Sequence, residues 1–262
     1  MKDIANAKRL VFKIGSSTLT YDNGKLNIGR IDLIARTLAD LKNSGREIVI
    51  VSSGAVSAGM GRLDLEERPS STTAKQALSA VGQSELMGIW SRIFSTYGHT
   101  VAQILITKDE IKNPKVYENA RNTFNTLIGM KCIPIVNEND SMSYEEIEFG
   151  DNDTLSAHVS LICSADALVI LSDIDGLFSD DPHKNPDAKL IPLVDEITED
   201  IVSAAKGAGS KHGTGGLVTK IHAAEIVMPA GIPMYIINGS DHHNISRLAH
   251  GENIGTAFIP KQ

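Results

Sequence analysis

The sequence predicts an α/β protein: an open, mainly parallel sheet with helices on both faces, of the αβα sandwich kind. Two observations carry that expectation. Short apolar runs alternate with helical patterns along almost all of the 262 residues. The runs are nearly continuous in Ile, Val and Leu instead of alternating with polar residues, which is how strands covered on both faces of a parallel sheet read. A chain this long with 42% apolar residues needs no disulfide or metal to hold a core. It carries no internal repeat, low-complexity tract or Pro/Ser-rich linker, so one domain over residues 1–262 is expected.

In chain order, strands are expected at Leu10–Ile14, Ile48–Val51, Val101–Ile106, Cys132–Val136, Ala167–Leu171 and Met234–Ile237. Between the first two, Ile31, Ile34, Leu38 and Leu41 fall on one helical face, and Gly45 stands beyond them as a stop signal. A second helix runs from Thr154 to about Cys163. A third carries Leu217, Ile221, Ala224 and Met228 on one face, with Pro229 as the breaker. Ser141–Gly150 breaks the regular alternation and reads as a small hairpin or lid. Gly176–Pro192, with its three prolines, reads as a surface loop.

Composition removes several functions. Lys and Arg total 25 against 32 for Asp and Glu, a net charge of −7, which argues against unspecific binding to nucleic acid or anionic membranes. A small anion held by a few local cations remains open. No run reaches the roughly 18 apolar residues of a membrane span, and no apolar signal segment follows the N-terminus. A soluble, cytoplasmic protein is expected. Cys132 and Cys163 lie in apolar stretches and are expected as buried thiols, not as a disulfide or zinc site.

Ligands of open α/β sheets bind at the carboxyl ends of the strands, and six polar or glycine-rich segments fall at such ends or at helix starts. Lys13-Ile14-Gly15-Ser16-Ser17 combines a cation with a glycine that lets backbone amides approach a ligand; it can also be a surface lysine before a turn. Ser52-Ser53-Gly54-Ala55-Val56 opens a helix with exposed N–H donors, an anion cradle or a plain serine cap. Asn137-Glu138-Asn139-Asp140 and Gly150-Asp151-Asn152-Asp153 bracket the expected hairpin. Such clusters make Asx-turns and caps, or they hold the ammonium and carboxylate of a small zwitterion, or orient a lysine. Ser172-Asp173-Ile174-Asp175-Gly176-Leu177 lacks the spacing of an EF-hand and is either a turn or a nucleotide contact. In Gly213-Thr214-Gly215-Gly216-Leu217-Val218-Thr219-Lys220 a glycine run opens a helix, and Lys220 in its first turn opposes the helix dipole unless an anion sits there.

Missing motifs narrow the field. The chain has no G-x-x-x-x-G-K-[ST], no G-x-G-x-x-G after the first strand, no H-E-x-x-H and no G-x-S-x-G. Its eight histidines are scattered, and His242-His243 is expected to face solvent.

In this order the segments resemble the amino acid kinase family. The matching pieces are Val11–Ser16, Ile50–Ala55, Ala80–Ser84, Ile135–Asp140, Phe149–Asp153, Leu171–Asp173, Asp175–Leu177 and Gly213–Lys220. Within the family the set is most similar to the members that phosphorylate the γ-carboxylate of L-glutamate with ATP and Mg²⁺, the first step of proline synthesis. The resemblance implies that Lys13 and Lys220 neutralise the transferring phosphoryl group and that Asp153 holds the lysines. It implies further that Ser53, Asp140 and Asn152, with Asn137 nearby, bind glutamate. ATP would meet Lys13, Ser172, Asp173 and the segment Thr214, Gly215, Gly216, Leu217, Val218, Thr219 and Lys220. A homo-oligomer is implied, as is handover of the labile product to glutamate-5-semialdehyde dehydrogenase. Two departures stand out: Ser172 replaces a commoner threonine, and the C-terminal PUA domain of many bacterial members has no room before Gln262.

Elementary chemistry agrees with that reading. A γ-carboxylate has a pKa near 4.3, so at neutral pH it is already the nucleophile and needs no general base. The task is to bring two anions together in line, by positioning and charge stabilisation. Rival readings are acetylglutamate- or carbamate-kinase-like members, which share the glycine–lysine logic, and a silent amino-acid sensor on the same fold, which would not need both lysines.

Overall fold

The computed structural model describes residues 4–21, 23–142, 152–180, 185, 187–207 and 216–261. The strands are β1 (Arg9–Ile14), β2 (Glu47–Ser52), β3 (Val101–Ile106), β4 (Ile133–Glu138), β5 (Ala167–Ser172), β6 (Leu193–Val194), β7 (Met234–Asn238) and β8 (Thr256–Phe258). They form one sheet in the order β3-β4-β2-β1-β5-β7-β8-β6. The run from β3 to β7 is parallel throughout, β8 lies antiparallel to β7, and β6 is parallel to β8.

The helices are α1 (Ser16–Leu19), α2 (Ile28–Asn43), α3 (Ala55–Arg62), α4 (Thr72–Thr96), α5 (Lys108–Lys112), α6 (Pro114–Gly129), α7 (Asn152–Ile162), α8 (Glu199–Gly207), α9 (Leu217–Val227) and α10 (His243–Ala249). The helix expected from Ile31, Ile34, Leu38 and Leu41 is α2, and those residues are all buried. Asn27 caps it by accepting from the Arg30 N–H, and Gly45 follows at φ +100°, where only glycine is comfortable. The helix expected to reach Met228 is α9, which ends at Val227 and passes into a 3-10 turn at Met228–Ala230.

Each strand feeds two cores at once, because successive side chains point to opposite faces. Leu10, Phe12, Ile48, Ile50, Val169 and Leu171 join α2 and α4 on one face. Val11, Val49, Val51, Leu168 and Ile170 join α7 and α9 on the other. By the same alternation Lys13 points to the α7–α9 side. The chain leaves β1 toward one face and β5 toward the other, so a crevice opens between these neighbours at their carboxyl ends.

On the opposite side of β2, α3 and α4 cross at backbone contact. A Cβ on Gly82 would stand 1.8 Å from the Ala55 carbonyl oxygen, and one on Gly59 would stand 2.0 Å from that of Leu78. The small residues after β2 are therefore packing devices as well as a loop, and the crossing brings α4 beside the ends of β2 and β4.

One expectation is corrected. Cys163 is buried, and burial pushes its thiol up to about 12, but Cys132 precedes β4 and is only half-buried. The expected loop at Gly176–Pro192 is tied down at its ends by an antiparallel bridge between Phe178 and Leu190. The expected hairpin at Ser141–Gly150 lies outside the described residues from position 143 onward.

Candidate active site

The carboxyl ends of β1 and β5 and the first turns of α7 and α9 converge on Asp153. Its Oδ1 lies 2.7 Å from Lys13 Nζ and its Oδ2 lies 3.2 Å from Lys220 Nζ. Thr219 Oγ1 donates to the same Oδ2 at 2.7 Å. Asp153 is 1% exposed, Lys220 5% and Lys13 7%, so one carboxylate and two ammonium groups share a water-poor cluster. Burial works to raise the Asp153 pKa, but the charges of Lys13 and Lys220 and the hydrogen bonds overcome it and hold the carboxyl well below its usual range. Lys220 moves the other way from an ordinary lysine. Burial lowers its pKa, Lys13 adds to the lowering, and Asp153 only partly opposes it.

The cluster carries one more positive than negative charge, and its two lysines are held side by side by one anion. That excess is what a transferring phosphoryl group would neutralise. Lys13 Nζ also lies beside Gly15, 3.7 Å from where a Cβ would stand, so the β1–α1 turn leaves room over the ammonium. A lysine in the first turn of α9 opposes the helix dipole unless an anion sits beside it, and Asp153 supplies one from within the protein.

A second group of polar side chains lines an adjoining cleft, with Ser53, Gly54, Arg68, Asn137, Asp140 and Asn152 in its wall. Gly54 sits at φ +100°, outside the range of ordinary residues, and turns the chain from β2 into α3. Asn152 Nδ2 donates to Ser53 Oγ at 2.8 Å and to Asn137 Oδ1 at 3.0 Å. Its own Oδ1 is buried and has no hydrogen-bond partner among the described residues. An unpaired buried acceptor costs about 1–3 kcal/mol, so this oxygen fits a donor brought by a ligand. Asp140 accepts from Ser79 Oγ at 2.8 Å. Burial raises its pKa, against the Ser79 hydrogen bond and the Arg68 charge.

Of the residues expected to meet ATP, Ser172 is buried at the end of β5 and donates to the exposed Asp173 carboxylate at 3.2 Å. The charge of Asp173 reaches Lys220. Gly216 caps α9, the Leu217 side chain is part of the apolar core, and Val218 is exposed. Thr214 and Gly215 lie outside the described residues, as do Gly150 and Asp151. The sequence reading assigned no role to Ser79, Gln83, Trp90 or Arg68. Trp90 Nε1 donates to Ser52 Oγ at 3.2 Å, anchoring the end of β2. Ser79, Gln83 and Trp90 all lie on α4, and only the Gly82-Gln83 pair in a matching segment pointed there.

The end of β1 and the first turn of α9 thus bring two lysines onto one buried carboxylate beside a polar cleft, an arrangement suited to phosphate chemistry. The sequence profile of the amino acid kinase family matches residues 8–238, and the chain belongs to that family. It is 48% identical over 265 residues to a glutamate 5-kinase of Clostridium perfringens (strain 13 / Type A), covering 100% of this chain and 98% of the relative. It is 50% identical over 260 residues to a glutamate 5-kinase of Clostridium acetobutylicum, with 99% and 97% covered. Matched so nearly end to end, these relatives have no length left for a PUA domain. The fold is similar to that of a UMP kinase from Bacillus anthracis, with TM-score 0.65 and 16% identity over 97% of this chain and 96% of that one.

Proposed function

We propose that the chain phosphorylates the γ-carboxylate of L-glutamate with ATP, giving L-glutamyl 5-phosphate and ADP, the first step of proline biosynthesis. The observation that carries the reading is its near full-length identity to enzymes named glutamate 5-kinase. The site chemistry supports it. A γ-carboxylate oxygen attacks the γ-phosphorus of ATP, a new O–P bond forms, and the bond to the bridging β–γ oxygen breaks with its electrons leaving on ADP. Lys13 and Lys220 face the charge that gathers on the transferring group, and Asp153 keeps both ammonium groups in place. Asp140 and Asn152 Oδ1 hold the α-ammonium, while Ser53 and Asn137 fix Asn152. Ser172, Asp173 and Thr214–Lys220 receive the nucleotide.

Both oxygens of Asp153 are engaged by the lysines and Thr219. The residues therefore fit a Mg²⁺ ion carried on the ATP phosphates with its own waters, as this metal prefers. Among the described residues, exposed Asp173 after β5 is a carboxylate that would hold it. When bound, the ion would supply charge neutralisation on the ATP phosphates. The proposal extends to one working unit of residues 1–262, a homo-oligomer in the cytoplasm, and onward transfer of the acyl phosphate to glutamate-5-semialdehyde dehydrogenase. No helix among the described residues is long and apolar enough to cross a membrane.

Hydroxylamine traps acyl phosphates as hydroxamates, and this gives the test. L-Glutamate with Mg-ATP should yield hydroxamate, while N-acetylglutamate should not, because its acetylated nitrogen carries no charge for Asp140. Equal turnover of the two would point to an acetylglutamate-kinase-like enzyme, and no turnover of either would point to a sensor.

Asp140→Ala should raise the glutamate KM about ten- to a hundredfold, the loss of one charge-assisted contact, with the ATP KM nearly unchanged. Only the ionised carboxylate attracts an ammonium. Since burial raises the Asp140 pKa, wild-type glutamate KM should begin to climb on acidification at a higher pH than an ordinary aspartate would give. Steady-state kinetics across pH check both, and an unchanged glutamate KM in the variant would remove Asp140 from the site.

A further inference from the structure

The asparagine pair in the cleft is held by a residue from a helix that touches neither reacting group. Asn137 Nδ2 donates to Gln83 Oε1 at 2.8 Å, and the Glu138 N–H donates to Asn137 Oδ1 at 2.9 Å. A backbone N–H can only donate, so Asn137 must turn its oxygen toward Glu138 and its NH₂ toward Gln83. The same oxygen then accepts from Asn152 Nδ2. With both Asn152 amide hydrogens spent on Asn137 and Ser53, its Oδ1 is left as the unpaired acceptor. One hydrogen bond alone would let the Asn137 amide pivot, and the second, to Gln83, fixes its plane. Gln83 and Asn137 are both buried, so water does not readily replace either partner. Gly82 makes the reach possible, because its missing Cβ lets α4 lie against the Ala55 carbonyl.

We propose that Gln83 is a positioning residue that holds in place the hydrogen-bond polarity the Glu138 N–H gives Asn137. Through Asn137 it presents an acceptor, and not a donor, at Asn152, and so selects ligands that carry an ammonium group beside the carboxylate to be phosphorylated. The inference rests on the glutamate reading above and adds the determinant of its amine specificity.

The test measures kcat and the KM of glutamate and of ATP for wild type, Gln83→Leu, Gln83→Asn and Gln83→Glu. Inhibition by glutarate, which keeps both carboxylates but lacks the amine, and melting temperature are measured alongside. Gln83→Leu and Gln83→Asn, the second a polar change that only shortens the reach, should each raise the glutamate KM about tenfold, the effect of one positioned hydrogen bond. The KM of ATP should stay unchanged, and glutarate inhibition should weaken less than glutamate binding, so the preference for the amine narrows. Gln83→Glu keeps an acceptor for Asn137 Nδ2 and should restore the glutamate KM to near wild type. If Gln83→Leu does not fold, Gln83→Asn carries the decision. Equal losses for glutamate, glutarate and ATP would make Gln83 merely structural, and an unchanged glutamate KM in a folded variant would equally overturn the relay. A wild type inert toward glutamate overturns the functional reading itself, which separates that failure from a failure of the relay in an active enzyme.

Discussion

Asp153→Asn is expected to melt on the order of 10 °C below wild type in the absence of ligand and to lose nearly all turnover. The carboxylate is the anion facing both Lys13 and Lys220 at 2.7 and 3.2 Å. The amide keeps its volume and removes its charge, leaving two buried ammonium groups side by side. Breaking a buried ion pair by deleting one partner costs about 3–5 kcal/mol, and in a chain of this size each kcal/mol moves the melting point by about 2–4 °C. Anions should partly replace the lost carboxylate, so phosphate or an ATP analogue should raise the melting point of the variant more than that of wild type.

The pH dependence has a definite sign. The folded Asp153 pKa is depressed, so its contribution to stability is fully present above the unfolded carboxylate value of about 3.9. It is lost only as pH falls from there through the lower folded value. Wild type should show that loss on the acid limb of its stability curve, and Asp153→Asn should lack the contribution throughout. A variant that melts with wild type in phosphate-free buffer would mean that the lysines find other partners and that Asp153 does not hold the cluster together.

How much of this could be read before folding depends on how local each signal is. Five of the six main strands were legible because a strand buried on both faces leaves an unbroken apolar run, as at Leu10–Phe12 and Ile48–Val51; β3, at the sheet edge, is half-exposed and was legible only from its Val, Ile and Leu content. β6 and β8 were not legible. Leu193–Val194 and Thr256–Phe258 are too short to carry a period, and their pairing depends on the antiparallel turn back from β7. The long helix α4 escaped a periodicity reading for a related reason. Its buried residues Leu78, Gly82, Leu86 and Trp90 share one face, but Ser79 and Gln83 are buried on that face too and Val81 is exposed, so the apolar stripe is interrupted.

The site divides in the same way. The polar and glycine-rich segments after β1, β2 and β4 marked strand ends as candidate ligand sites, and the fold gathers Ser53, Asn137, Asp140 and Asn152 from such segments in one cleft wall. Residue roles such as the pairing of Asp153 with both lysines came from the family resemblance, since 140 and 67 residues of chain separate that aspartate from its partners. Ser79 and Gln83 reach Asp140 and Asn137 across 61 and 54 residues. Nothing in the local sequence of a helix says which strand end its polar side chains will meet.

Lys220→Met should cut kcat by about 10²–10³, the effect of deleting one donor that stabilises the transition state, yet leave the unliganded protein as stable as before or slightly more so. The helix-dipole argument from sequence predicted the same outcome, but the structure changes its ground. With Lys220 gone, Asp153 keeps Lys13 at 2.7 Å and the Thr219 hydroxyl at 2.7 Å, so no buried charge is orphaned. The excess positive charge of the cluster disappears, and methionine fills the aliphatic volume. The lowered Lys220 pKa gives the sign. Its charged form is disfavoured by folding, a cost present below the folded pKa and relieved as pH rises from there to the unfolded value near 10.4. Methionine removes that cost at every pH. Glutamate KM should barely move, because Asp140 and Asn152 are untouched, while the stabilisation that an ATP analogue gives to wild type should shrink. Melting curves with and without the analogue, set beside steady-state kinetics, separate the two roles. A variant that melts several degrees lower but turns over normally would make Lys220 a structural cation paired to Asp153, and the phosphoryl-neutralising role would fall to Lys13 alone.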